Sequence, residues 1–139
     1  MWYKQSQNIL YHGTSNKAAD NIKKKGFQLS SEHKGYANTI EQYISLTKNP
    51  EIAKQFAEIS GLHVDKIKGG TILKIDQNSL KIADSTEIPW QSEIESFLEY
   101  LDRLRQLGFD AVDLSNDEEF GTGEEEIALI NYDKAKFLE

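Results

Sequence analysis

Three short segments hold residue types that can grip and cleave a polar ligand: residues 11–15 (YHGTS), 43–47 (YISLT) and 123–131 (GEEEIALIN). His12 stands where an apolar run ends, and its imidazole can donate a hydrogen bond to a sugar hydroxyl. Gly13 has no side chain, so a ligand amide can approach its backbone N–H and C=O, and Thr14 adds a hydroxyl. A lone histidine beside a glycine is more often a structural turn residue; here the strand end, the glycine and the threonine hydroxyl in succession favour a functional one. Tyr43 alternates with Ser45 and Thr47, while Ile44 and Leu46 point the other way. That pattern gives a polar face on which the Tyr43 ring can stack against a flat heterocycle; the alternative is an aromatic filling the core. Glu124, Glu125 and Glu126 form a charge run of the kind usually left in solvent. Glu126, however, enters an apolar strand and alternates with Ala128 and Ile130. A carboxylate on such a face is unfavourable unless it is paired or used.

The elements that hold these residues follow from periodicity and caps. Residues 9–11 read as a strand stopping at His12-Gly13-Thr14. Ser15 is an N-cap for a helix to Lys25, with Ala18, Ala19 and Ile22 on one side and Gly26 at the left-handed C-cap position. Phe27 can fold back onto that helix. Residues 30–41 are polar and aperiodic and read as a loop. A strand over residues 43–46 leads to a helix capped by Thr47 or Asn49, with Pro50 in its first turn and an end near Gly61. Residues 71–76 (TILKID) alternate as a strand after Gly69-Gly70. Ser92 with Glu95 forms a capping box ahead of a helix carrying Ile94, Phe97, Leu98, Leu101, Leu104 and Leu107, ended by Gly108. Residues 109–114 and 126–130 read as strands on either side of the loop 115–123, and a last short strand falls within 135–138. The expectation is a single α+β domain over residues 1–139, with about three helices around short strands in two packed sheets.

Composition narrows the function classes. A chain of 139 residues is the size of one domain. It has no cysteine, which removes disulfides, thiol nucleophiles and the usual structural zinc sites. His33 and His63 lie in polar contexts and no metal-ligand cluster is visible, so no metal is expected. No apolar run approaches a membrane span, and residues 1–10 lack the apolar stretch of a signal peptide. A reducing cytoplasm fits, as does export of an effector or toxin without a signal. The net charge of −7 and pI of about 5.0 do not favour general affinity for nucleic acid. The Lys23-Lys24-Lys25 run reads first as compensation of a helix dipole, and otherwise as a local basic patch.

Taken together and in this order, the three segments resemble the ADP-ribosyltransferase superfamily. The match is to its His-Tyr-Glu branch, which includes diphtheria toxin, the poly(ADP-ribose) polymerases and the rifampin ADP-ribosyltransferases. YHGTS with a helix ending in Gly26-Phe27 is similar to the first motif, YISLTKNPEIAKQFA to the second, and GFDAVDL with GEEEIALINYDKAKF to the third. The resemblance implies an enzyme that uses NAD as substrate in a cleft between two small sheets. His12 would hold the ribose and Gly13 the nicotinamide amide, with Thr14 and Ser45 adding hydrogen bonds. Tyr43 would stack on the nicotinamide, and Glu126 would be catalytic. Glu124 is a second choice, because Glu124 and Glu126 also fit the Glu-x-Glu of the family's Arg-Ser-Glu branch; that branch has an arginine where His12 stands. Asp84 is another, by analogy with an aspartate of the rifampin-modifying enzymes. In this fold the loops 30–41 and 115–123 would flank the cleft, with Tyr36 contacting the acceptor.

The implied reaction is cleavage of the nicotinamide–ribose bond through an oxocarbenium-like transition state. ADP-ribose then passes to an acceptor, which is a protein, a nucleic acid, a small molecule or water. The competing class is a binding module on the same fold that holds a nucleotide or protein without turnover. An RNA 2′-phosphotransferase would need arginines near the histidine, and Arg103 and Arg105 both fall on the helix after Ser92.

Overall fold

The computed structural model describes residues 8–27, 43–67, 69–115 and 125–138. The expected loop 30–41, and with it Tyr36, falls outside them, as do Glu124 and most of the loop 115–123. In chain order the described elements are β1 (Ile9–Thr14), α1 (Asn16–Lys25), β2 (Ile44–Thr47), α2 (Pro50–Ser60), a π-helical turn (Gly61–Asp65), β3 (Thr71–Asp76), β4 (Ile82–Asp84), α3 (Phe97–Gln106), β5 (Ala111–Asp113), β6 (Glu126–Leu129) and β7 (Phe137–Leu138). This is an α+β arrangement with three α-helices.

The strands form one hydrogen-bonded sheet of order β4-β5-β6-β2-β1-β3-β7, where two packed sheets were expected. The two halves of that sheet are nevertheless distinct. β1 runs beside β3 over six residue pairs, and β2 beside β6 over four. β1 and β2 meet at one pair only, Tyr11 opposite Thr47. A single bridge keeps the ladder continuous and lets the end of β1 part from the start of β2.

Each face of the sheet carries its own core. Ile44, Leu46, Ile127 and Leu129 point to one side, where Ala19 of α1 and the buried Phe27 cover them. Ala83, Val112, Ala128 and Ile130 point to the other, under Tyr100, Leu101 and Leu104 of α3. Burying each of these leucines stabilises by roughly 1.5–3 kcal/mol. The Tyr100 hydroxyl avoids an unpaired buried donor by bonding the Ile88 carbonyl at 2.6 Å.

Local chemistry sets the helix ends. Ser15 caps α1 through its side chain to the Ala18 N–H, and Asp65 accepts from the Asn16 N–H, bringing a carboxylate to a first turn that has none of its own. Asn49 caps α2, and Pro50 opens it. α3 starts four residues later than its Ser92–Glu95 pattern suggests. The reciprocal capping box is Ser96 with Glu99, and Ile94 is 78% exposed, so a longer helix would bury nothing there. Glu95 instead accepts from the Gln91 N–H and pairs with Arg103. Strand β4 escaped the sequence reading because three residues carry no readable alternation. It lies parallel to β5, with α3 in the connection between them as a parallel pair requires.

Gly13 is required by packing. A Cβ there would stand 1.8 Å from the Ala53 carbonyl oxygen and 2.9 Å from the Ala57 nitrogen, because the α2 backbone crosses β1 at this point. Gly26 takes positive φ (78°) but with ψ 177°, so the chain leaves α1 extended and not through a left-handed turn; a Cβ there meets nothing within 4 Å. Gly13→Ala should therefore destabilise by about 3 kcal/mol or more, and Gly26→Ala, in a backbone region open essentially to glycine alone, by about 1–3 kcal/mol. Urea unfolding midpoints at constant slope measure both, and a Gly13→Ala protein as stable as wild type would contradict the close approach.

Candidate functional site

Where β1 and β2 part, a cavity of about 260 Å³ opens, lined by Tyr11, His12 and Gly13 of β1, Tyr43 to one side of β2 with Ser45, Leu46 and Thr47 along it, Phe56 and Ser60 of α2, and Glu126 at the head of β6. α2 and α3 lie on the same side of the sheet and cover different strands, which leaves the strip between them as the cavity floor. The Tyr43 ring is held by Phe97 of α3, edge to face at 5.5 Å between centroids, and Phe97 is held in turn by Trp90 at 5.6 Å. Phe56, 42% exposed, forms part of the wall supplied by α2.

Ser45 joins the two polar residues of the site. Its hydroxyl donates to Glu126 Oε2 at 2.8 Å, and its carbonyl oxygen lies 2.9 Å from His12 Nδ1. A carbonyl can only accept, so the Nδ1 atom carries the proton, which leaves Nε2 as the second polar atom of the ring. The His12 ring is steadied from behind by the buried Phe27, perpendicular at 5.3 Å. The alternation that puts Ser45 and Glu126 on one face is fixed by register, since Thr47 pairs with Glu126 and Ser45 with Ala128. One carboxylate, one oriented imidazole and the rings of Tyr43 and Phe56 thus converge on one small volume. Such a set can stack a flat ring, hydrogen-bond a polyol and place negative charge beside a developing cation.

The remaining candidates are distributed as follows. Gly13 lines the cavity, although the space that a side chain would occupy is filled by α2. Thr14, at the end of β1 opposite Thr71, is not among the lining residues. Asp84 ends β4, separated from β2 by β5 and β6, and caps its own turn by accepting from the Thr86 N–H and hydroxyl. Glu125 precedes β6 with φ of 53° and is exposed. Glu124 and Tyr36 lie outside the described residues. Phe56 and Ser60 were missed as site residues because Phe56 sits at helical spacing with apolar neighbours. The signal was present in Ala53 and Ala57: a helix that packs through two small residues leaves the large one beside them at the edge of the contact.

An ion pair fixes the end of the sheet next to Glu126. Lys48, just after β2, reaches Asp113 of β5 at 2.8 Å, and β6 lies between those strands. Burial opposes ionisation of Asp113, but hydrogen bonds from Lys48 and Ser115 outweigh it and hold the carboxyl below its ordinary range. Among the described residues no group of His, Asp or Glu converges as on a metal ion, and no helix is long and apolar enough to cross a membrane.

No family model, curated protein or solved structure matches this chain.

Because Asp113 titrates lower folded than unfolded, its contribution is present above the ordinary carboxylate value, about 3.9, and is lost as pH falls through the depressed one. Lys48 is 40% exposed, so the pair is worth only about 1 kcal/mol. Lys48→Met should lower stability by that amount at pH 7, and urea melts should show the difference shrinking below pH 4. A difference independent of pH would refute this role for the pair.

Proposed function

We propose that this chain is an ADP-ribosyltransferase that binds NAD⁺ with its nicotinamide ring against Tyr43 and Phe56 and breaks the nicotinamide–ribose bond beside Glu126. The observation that carries the reading is the convergence of His12, Tyr43 and Glu126, far apart in sequence, on one cavity, with Ser45 bonded to two of them. On this reading the parted halves of the sheet correspond to the two small sheets of the ADP-ribosyltransferase fold. The cavity volume suits the nicotinamide riboside end of the dinucleotide, and ligand sites for larger molecules run to about 300–1,000 Å³.

The chemistry asks little acid catalysis of the protein. The nicotinamide of NAD⁺ carries positive charge and leaves as a neutral base, taking the electron pair of the C1′–N bond. The ribose becomes cationic, and the Glu126 carboxylate, oriented by Ser45, stabilises that charge. The acceptor's O–H or N–H then forms the bond to C1′, and its proton passes to Glu126 or to solvent. His12, held by its Nδ1–H on the Ser45 carbonyl, would meet a ribose hydroxyl through the ring's other edge. The Gly13 backbone meets the carboxamide, and the stacking residues set the ring. The acidic, cysteine-free chain is suited to a reducing compartment.

Glu126→Gln should lower ADP-ribose transfer, and release of nicotinamide to water, by on the order of 10²–10³ with little change in NAD affinity. Glu125→Gln, at an exposed residue, is the control and should have a mild effect. Labelled NAD⁺ with purified protein and cell extract, followed by protease or nuclease digestion, measures the transfer and classifies the product. NAD binding without any turnover would make the chain a binding module on the same fold, and an unimpaired Glu126→Gln protein would remove the catalytic assignment.

A further inference from the structure

The wall that Phe56 contributes to the cavity does not stop at the cavity. At about 3.6 residues per turn, Ile52, Phe56 and Ile59 lie along one flank of α2, and the strip continues into the π-helical turn with Leu62. Ile59 is 54% exposed and Leu62 53%, so a band of large apolar surface runs outward from the site. Contiguous surface of that kind marks a contact for another molecule. Glu51 and Glu58 lie in the helical row next to the band and both are exposed; Lys54, three residues from one and four from the other, stands on their far side from the band. Across the opening stand Glu126 and the exposed Glu125. The chain as a whole carries a charge of −7, the sign that favours a basic partner.

We infer that the Phe56–Ile59–Leu62 band, with its Glu51 and Glu58 border, docks a basic protein segment, lysines or arginines around an apolar anchor, and so presents a protein side chain as the acceptor. The inference rests on the NAD-cleaving reading for its consequence but not for its geometry. An apolar anchor would cover the band, and the flanking cations would meet the glutamates, an arrangement that favours association rate and excludes anionic competitors. A nucleic-acid acceptor would meet the same carboxylates as repulsion.

The probes are three fluorescein-labelled oligomers of equal length: a peptide of alternating arginine, lysine and leucine, the same peptide with glutamate at every basic position, and oligothymidylate. Anisotropy titrations without NAD should show saturable binding of the basic peptide alone. The E51K/E58K protein should bind it about tenfold more weakly and the Ile59→Ser protein about threefold more weakly. Ile59→Ser is on the surface, so its circular dichroism melt should match wild type; E51K/E58K loses the acidic first turn of α2 and should melt slightly lower as a single folded species, and nicotinamide release to water should be unchanged in both. Equal binding of oligothymidylate, or binding unaffected by either variant, would overturn the proposal. So would a wild-type dimer in sedimentation velocity that Ile59→Ser dissociates, because the band would then be covered by a second copy. Peptide binding with no NAD cleavage would uphold the docking surface while removing the cavity's function; NAD cleavage with no peptide binding would do the reverse.

Discussion

The site depends on a parting between two neighbouring strands. β1 and β2 stay in register at Tyr11 and Thr47 alone, and each is fully paired on its other side, to β3 and β6. Backbone that leaves a ladder must find other partners, in side chains or in water. The Ser45 carbonyl, no longer facing a β1 amide in register, takes the His12 Nδ1–H. The Ser45 hydroxyl, facing the opening, donates to Glu126. The same residue therefore supports the gap and orients the two groups that face into it.

The frame around the gap is built to resist closure. α2 lies directly on β1 because Gly13 has no Cβ and Ala53 and Ala57 have small ones, and this close contact holds Phe56 at the rim. On the other side α3 is anchored by three buried residues, and its first residue, Phe97, braces Tyr43. Lys48 and Asp113 hold the strand ends across β6. Tyr43 is thus set by the α3 core and Phe56 by the contact of α2 with β1, which is how a rigid scaffold positions a site.

Much of this was legible in residue order, and the failures have physical causes. The caps Ser15 and Asn49 and the alternation of residues 71–76 were readable because each is set locally; of the expected polar face, Ser45 is exposed, while Thr47 is buried and Tyr43 packs against the α3 core. The helix start at Phe97 was misplaced since two Ser-x-x-Glu patterns, at Ser92 and Ser96, compete, and only the second opens onto a buried face. The continuity of the sheet was not readable, because one bridging pair leaves no periodic trace. Gly13 was noticed for the access it gives a ligand, whereas its close neighbour is the α2 backbone, a contact between segments far apart in sequence. Phe56 was not singled out for the same reason: spacing identifies the helix face and not what lies at its edge. Asp84 was placed by analogy, and three dimensions put two strands between it and β2.

The central claim is that this gap receives the nicotinamide end of NAD⁺. Saturation-transfer difference NMR on NAD⁺ tests it most directly, by reading which ligand protons lie against the protein. The account predicts strongest saturation at the nicotinamide ring protons, and its loss in a protein carrying Tyr43→Ala and Phe56→Ala while the fold is retained. Saturation confined to the adenine protons, or a nicotinamide signal that survives removal of both rings, would contradict it.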